Sequence, residues 1–565
     1  MFSTRCASFN CILILLFYLA STVVAQDVNV TIPLNNTVTY DNREIYGGFY
    51  SINGSSTTHV TFSNINIKLS FIVFQVHSHL LNVTLYKTAL KPDSQVEGTN
   101  VGLVSLLDPI DDFHILNANE NVTVRVYVSV HGYLTPDPIP GGCNMEFPVP
   151  ISPYLETRTN DDYIAVDAAP ASLEITCKDR QPNMTFYMMY LPEMNFYADV
   201  YFDGIRKMMT LKNIDKYGIE IPKSSWPYNR RILSAYPGTG VIFAVVATRD
   251  LTNNNMSYSV YVPSYSYGCP SVNEDGCDVM DDMLTQFLCA ILLFVGVFVC
   301  FFGHRFFKTE MFLAGFFSGV IITYILVALI TVVDKPALLA ASTVSGIFFG
   351  AIWLLFWWLY GIPVIAVLLP SLNLGFLLAS IFYYRLPGNI TYLEVDFNFW
   401  TPFILVMLLT ALAVVSVTYA ANILCCAILG AYATVLSVDY YLGSNLKFII
   451  INTIRRAVVP NFNKATLSPP FQLKDFSMTL LWVMLATLGF LFQHWHNRGR
   501  PPFPPPPRDL RESMPGPVMY GSVIDYRSRC VYHFSLKSDV EDRQEREFNS
   551  SPGPRLGNER TPLLS

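Results

Sequence analysis

The sequence predicts an all-β ectodomain folded as two β-sandwiches, then a seven-helix transmembrane bundle, then a disordered cytosolic tail. Three observations carry this prediction. Of the 565 residues, 52% are hydrophobic and only 14% are charged, against roughly 25% charged in soluble globular chains. Strand-period alternation fills the first half of the chain. Apolar runs of about 20 residues, each able to cross ~30 Å of hydrocarbon, fill most of the second half.

Residues 1–25 read as a secretory signal. Arg5 supplies the positive n-region, Cys11–Ala20 is apolar, and Val23 and Ala25 are small residues at a cleavage site. The apolar run is shorter than the ~20 residues a spanning helix needs, which favours cleavage over a retained anchor. Residues 26–282 are then expected to be lumenal or extracellular. N-x-S/T sequons at Asn29, Asn35, Asn53, Asn82, Asn121, Asn183 and Asn255 agree with that side of the membrane.

Within this region Val122, Val124, Val126, Val128 and Val130 alternate with Thr123, Arg125, Tyr127 and Ser129, the pattern of a half-buried strand. Leu69–Val76, Asn82–Tyr86, Met184–Tyr190, Phe196–Phe202, Val241–Val246 and Ser257–Val262 are further strand candidates. Turn-rich segments at Pro136–Gly142 and Pro237–Gly240 punctuate them. The first of these is expected to divide the ectodomain into sandwich-like domains 26–139 and 140–282. Cys143, Cys177, Cys269 and Cys277 are an even set in an oxidising compartment. Of the three possible pairings, Cys143–Cys177 with Cys269–Cys277 keeps each bridge local. Zinc is disfavoured, because no C-x₂-C pair or clustered His accompanies them.

The membrane domain is expected over 283–497, with spans near 283–303, 311–333, 337–359, 362–384, 400–420, 423–442 and 476–496. Only Ala420–Asn422 remains for a turn between the fifth and sixth. Seven spans after a cleaved signal put the tail in the cytosol. His304, Arg305 and Lys308 in the first inner loop, with Arg498 and Arg500 after the last span, obey the positive-inside rule. The 385–399 loop falls outside and carries a further sequon at Asn389. The outer 443–475 loop disagrees with the rule, since it carries Lys447, Arg455, Arg456, Lys464 and Lys474. Its apolar Leu446–Val459 stretch is expected to lie flat at the interface as a short helix.

Two intramembrane polar residues are functional candidates. Asp439 is either a transport group or a water-exposed interfacial carboxylate, and Asn373 is either a functional amide or a packing contact between helices. Gly315–Gly319 and Gly346–Gly350 are small-xxx-small pairs that permit close helix approach. Neither G-x-S-x-G, nor H-E-x-x-H, nor a phosphate-binding glycine loop is present. The expectation is therefore no enzyme, no cofactor and no metal. A net charge of −6 gives no basic footprint for nucleic acid.

The tail, 498–565, is Pro-rich and of mixed charge. Phe503–Pro507 (FPPPP) is similar to ligands of EVH1 domains, and Arg498–Pro504 fits an SH3 ligand; a stiff spacer is the plainer reading. Glu559, Leu563 and Leu564 resemble an acidic dileucine signal read by clathrin adaptors. Tyr520 and Val523 resemble its tyrosine-based counterpart.

The strings Phe71–Ser78 (FIVFQVHS), Pro140–Phe147 (PGGCNMEF), Cys300–Phe312 (CFFGHRFFKTEMF), Pro470–Phe476 (PFQLKDF), Arg498–Pro502 (RGRPP) and Glu559–Leu564 (ERTPLL) together resemble the transmembrane 7 superfamily member 3 family. The multi-span region is also similar to transmembrane protein 198. The resemblance implies a seven-span protein linked to cell survival, negative regulation of programmed cell death and the unfolded-protein response, and it implies no catalytic residue. The resulting expectation is a non-enzymatic, receptor-like or adaptor glycoprotein of the plasma or endolysosomal membrane, embedded in the lipid bilayer. The alternative is a transporter or channel for a small solute or ion.

Asn389→Gln should remove the mass of one glycan from the mature chain, read by endoglycosidase shift on a gel. An unchanged mass would leave the 385–399 loop without support as a lumenal segment.

Overall fold

The computed structural model describes residues 28–87, 95–107, 112–135, 137–140, 153–168, 182–223, 229–250, 256–273, 276–277, 283–386 and 390–504. The signal segment, Cys143, Cys177, Asn255, Asn389 and the sorting residues Tyr520, Val523, Glu559, Leu563 and Leu564 lie outside them. The chain forms two compact units. The first comprises residues 1–283, 382–399 and 439–477; the second comprises 284–381, 400–438 and 478–565.

The first unit begins with a two-sheet sandwich. One sheet orders β1 (Val28–Pro33), β3 (Ser56–Ser63), β8 (Phe113–Asn117), β5 (Val83–Lys87) and β6 (Gln95–Gly98). The other orders β2 (Glu44–Ile52), β9 (Val124–Tyr133), β4 (Phe71–Ser78) and β7 (Asn100–Leu106). Alternation does the sorting, as expected for a pleated strand. Ile72, Phe74 and Val76 of β4 and Val124, Val126, Val128 and Val130 of β9 enter the core between the sheets.

The opposite face was expected to meet water, and it does not. Tyr127 of β9 packs with Leu191, Tyr201 and Phe202, while Phe71, Val73 and Tyr133 pack on Val262. The second β domain covers that face, so β4 is buried along all of its eight residues.

That second domain pairs β10 (Leu155–Thr159), β11 (Tyr163–Ala168) and β14 (Arg230–Ser234) in one sheet. The other sheet orders β13 (Ile219–Ile221), β12 (Asn183–Tyr190), β15 (Val241–Asp250) and β16 (Met256–Val260), with β17 (Ser264–Ser266) also on β15. The ribbon β18 (Val272–Asn273) and β19 (Gly276–Cys277) follows, and Cys269 and Cys277 form a disulfide.

One strand assignment is corrected. Phe196–Phe202 is not a strand, because α1 spans Ala198–Lys207 and α2 follows at Leu211–Tyr217. Tyr201, Phe202, Ile205, Met208 and Met209 are all buried. Their spacing of i, i+1, i+4, i+7 and i+8 is helical and becomes visible only beyond the seven-residue window first read as alternation.

Among the described residues, six helical stretches are long and apolar enough to cross a membrane. The first, Met283–Ile330, has 48 residues. It comprises α3 (Met283–Phe302), a 3-10 turn (Gly303–Phe306) and α4 (Phe307–Ile330). The others are α5 (Lys335–Tyr360), α6 (Pro363–Arg385), α7 (Asp396–Val415), α8 (Thr418–Leu442) and α10 (Leu473–His496). The break between α7 and α8 falls at Ser416–Val417 rather than Ala420–Asn422. In place of the expected turn, Ala421 and Asn422 occupy the first turn of α8, and both are buried. The short helix α9 (Phe448–Val458) lies between α8 and α10.

In the second unit, α4 and α5 touch backbone to backbone. A Cβ on Gly315 would stand 2.9 Å from Gly350 Cα and from the Phe349 carbonyl. A Cβ on Gly346 would meet the Phe316 carbonyl at the same 2.9 Å. The small-xxx-small pairs therefore face each other, which is the physical use anticipated for them.

Gly315→Leu is expected to separate α4 from α5 and to cost about 1–3 kcal/mol by overpacking. The check is the thermal midpoint of the full chain in nanodiscs, with Leu313→Ala as a control on the same helix.

Candidate functional site

The most heavily built polar site in the first unit joins the second β domain to the chain around α9. The polypeptide after α9 attaches first as a strand. Thr466 donates its N–H to the Ile232 carbonyl at 2.8 Å and accepts from the Ser234 N–H at 3.2 Å, extending the β14 edge. Helix α9 then brings Arg455 against the same edge. Its Nε donates to Asp162 Oδ1 at 3.1 Å, Nη1 to the Ala235 carbonyl at 2.8 Å, and Nη2 to the Asp161 carbonyl at 2.6 Å. Asn452, one turn earlier, accepts from Ser234 Oγ at 2.9 Å. Arg456 turns the other way, pairing with Asp396 at 2.9 Å and donating to the Leu393 and Glu394 carbonyls.

The short helix expected within Leu446–Val459 is α9, Phe448–Val458. Both of its guanidinium groups are buried against carboxylates and carbonyls.

A second cluster continues the seat. The Gln472 amide donates to the Leu191 carbonyl at 2.7 Å and accepts from the Glu193 N–H at 3.1 Å. Asn445 donates its side-chain N–H to Glu193 Oε1 at 2.8 Å and its backbone N–H to Asp475 Oδ1 at 2.7 Å. Glu193 hydrogen-bonds Asp475, so two carboxyl groups meet. Burial raises the Glu193 carboxyl to about 8, and the bond to Asp475 and its negative charge add to the rise.

Asp439 is neither exposed nor a free intramembrane charge. Its carboxylate accepts from Ser444 Oγ and from the Lys447 backbone N–H, both at 2.6 Å, and fixes the turn that leaves α8. The water-exposed interfacial reading is overturned, because the residue is fully buried. Asn373, in the second unit, is a helix–helix contact. It accepts from Ser318 Oγ at 2.8 Å and donates to the Ala314 carbonyl at 3.2 Å.

The second unit has a polar knot of its own around the 3-10 turn. Asn422 Nδ2 donates to Glu310 Oε2 at 2.6 Å and to His304 Nδ1 at 3.0 Å. Gln493 accepts from the His304 N–H at 3.0 Å and donates to the Cys300 carbonyl at 2.7 Å. The turn between α3 and α4 is thus tied to α8 and α10. Among the described residues no group of three or more His, Cys, Asp or Glu is placed to hold a metal. The six sequon asparagines within them, Asn29, Asn35, Asn53, Asn82, Asn121 and Asn183, are all exposed.

Three family models match this chain in sequence. Residues 42–133 match a TM7SF3-like N-terminal immunoglobulin-like domain, 138–272 a second immunoglobulin-like domain, and 289–494 a TM7S3/TM198-like domain. Transmembrane 7 superfamily member 3 of Mus musculus is 30% identical over 481 residues, covering 82% of this chain and 85% of the relative. The chain belongs to the transmembrane 7 superfamily member 3 family. The Homo sapiens relative is 28% identical over the same length, covering 82% and 84%, and the Rattus norvegicus relative is 30% identical, covering 79% and 82%. In this family member, Arg455, Asn452, Asn445, Glu193, Gln472 and Asp475 were not legible as a site. The one signal was the basic Arg455–Arg456 pair within an otherwise apolar stretch.

Glu193 supplies a pH prediction. Its folded-state value near 8 lies above the ordinary 4.5, so the folded chain binds the extra proton. Stability from this group is fully present below about pH 4.5 and is lost as pH rises through about 8. Melting of the full chain in nanodiscs should therefore fall between pH 5 and 8.5. Glu193→Gln, which keeps a donor for Asp475, should flatten that slope. An equally steep slope in the variant would remove Glu193 as its source.

Proposed function

We propose that this chain is a non-enzymatic, receptor-like membrane glycoprotein whose ectodomain is coupled directly to the loops of its membrane helices. The observation that carries the reading is the seat itself. Immunoglobulin-like domains, the 382–399 loop and the 439–477 loop form one compact unit. Its contacts are buried and hydrogen-bonded, so a ligand that shifts the second β domain must also move α9 and the chain ends of α6, α7, α8 and α10.

Seven crossings fit this reading, with Met283–Ile330 crossing twice through its 3-10 turn. At ~1.5 Å per residue its 48 residues would be far longer than a bilayer is thick. His304 meets both Asn422 at the start of α8 and Phe503 after α10. Those three points then share one side, as a lumenal ectodomain and a cytosolic tail require. The exposed sequons are the glycan sites, and the dileucine at Leu563 and Leu564 with Tyr520 and Val523 directs the protein to the plasma or endolysosomal membrane through clathrin adaptors. The family resemblance supports a role in survival under unfolded-protein stress.

The transporter or channel reading leaned on Asp439. Both oxygens of that carboxylate accept hydrogen bonds from the following turn, which favours a structural role for Asp439.

The test is rescue. Cells lacking the protein are treated with a stressor of the endoplasmic reticulum that leaves glycosylation intact. The wild-type chain should restore survival. Arg455→Met, which orphans the Asp161 and Ala235 carbonyls and should weaken the seat by roughly 3 kcal/mol, should fail at matched abundance and location. Full rescue by Arg455→Met would sink the coupling; no rescue by the wild type would sink the survival role.

A further inference from the structure

The second unit contains a cleft lined by Met311 of α4, Trp353, Phe356, Trp357 and Tyr360 of α5, and Ile362. The α5 residues stand at i, i+3, i+4 and i+7, so they form one stripe along the helix. The Trp353 and Trp357 indole N–H groups are both buried and have no acceptor among the described residues. An unpaired donor shut away from water is costly. An indole nitrogen can only donate, so what is missing is an acceptor.

The described chain ends beside this cleft. Phe503 packs edge-on against Phe307 at 5.3 Å and against His304 at 5.8 Å. Phe307 in turn packs on Trp357 at 4.9 Å. The His304 ring is hydrogen-bonded to the Pro502 backbone. Phe503 therefore belongs to the same apolar cluster as Met311, Trp357 and Ala366. It is followed directly by Pro504, Pro505, Pro506 and Pro507.

We infer that the aromatic stripe of α5 is a receptor for the chain's own polyproline segment, Pro504–Pro507, docked in cis with Phe503 as its anchor. The chemistry is complementary. Proline residues carry a carbonyl and no N–H, so the segment offers only acceptors to a surface whose buried polar atoms only donate. The lengths agree as well. Four residues of polyproline helix cover roughly 12 Å, and Trp353 to Tyr360 covers about 10 Å along α5. Aromatic grooves bind such segments because the extended helix has little entropy to lose. A consequence follows for partners in trans: an EVH1 or SH3 domain reaches this motif only by displacing it from α5. The inference goes beyond the receptor-like reading and does not depend on the protein's compartment.

The full chain carrying Pro506→p-benzoylphenylalanine, in nanodiscs, is irradiated and its adducts are mapped by mass spectrometry. Most adducts should be intramolecular and fall within Met311–Ala366. Adding Pro504→Ala, Pro505→Ala and Pro507→Ala should lower their yield at least fivefold. Trp353→Phe with Trp357→Phe keeps the rings and removes the donors, and should lower it at least threefold. Adducts confined to lipid, to other segments or to a second copy overturn the inference, as does a yield unchanged by the three alanines. If the double Phe variant melts well below the parent chain, the alanine series, which alters only the tail, decides alone.

Discussion

The Arg455 guanidinium organises the first unit. A guanidinium cannot shed its charge, so burying it is tolerable only where acceptors surround it. Here Asp162 and two carbonyls from different turns of the second β domain surround it. None of those acceptors belongs to the loop that supplies the arginine. The loop is therefore stable in this form only when the β domain is folded against it, and Thr466 on the β14 edge makes the dependence mutual.

That constraint propagates through the sheets. The second domain is held on one side by the α9 loop and on the other by the outer face of β4 and β9. Tyr127 and Tyr133 are buried there, although alternation alone would have left them wet. The tyrosine hydroxyls keep polar partners in this environment, as buried phenols require. Tyr127 donates to Glu44 at 2.8 Å, and Tyr133 accepts from the Val260 N–H at 3.1 Å. A first domain with both faces of one sheet covered is not an independent bead on a string.

What the sequence disclosed follows from the range of the physics involved. Period-2 alternation and 20-residue apolar runs are local, so β4, β9, β12, β15 and the long helices were legible. The glycines at 315, 346 and 350 were legible because close helix approach tolerates little else. Phe196–Phe202 failed because seven residues fit both periods, and only Met208 and Met209 decide for a helix. Arg455, Asn445 and Glu193 failed for a different reason. Their partners lie more than 200 residues away, and a single sequence holds no trace of such a pairing. The basic 443–475 loop was the exception, since two of its charges, Arg455 and Arg456, pair with Asp162 and Asp396.

The second unit ties its turn chiefly through side-chain amides. Asn422 donates one amide to both Glu310 and His304, and Gln493 spans from the His304 N–H to the Cys300 carbonyl. Amides can donate and accept at once, which lets two side chains close a turn between spanning helices without adding net charge to an apolar surround. The indole groups of Trp353 and Trp357 lack this versatility, because they donate only. The turn itself leaves Glu310 Oε1 and Asn422 Oδ1 buried without a partner among the described residues, while the two unmet indole donors share one cleft. Phe503 delivers to its edge the residue type that makes only acceptors. The donor-only stripe and the acceptor-only tail come from separate parts of the chain.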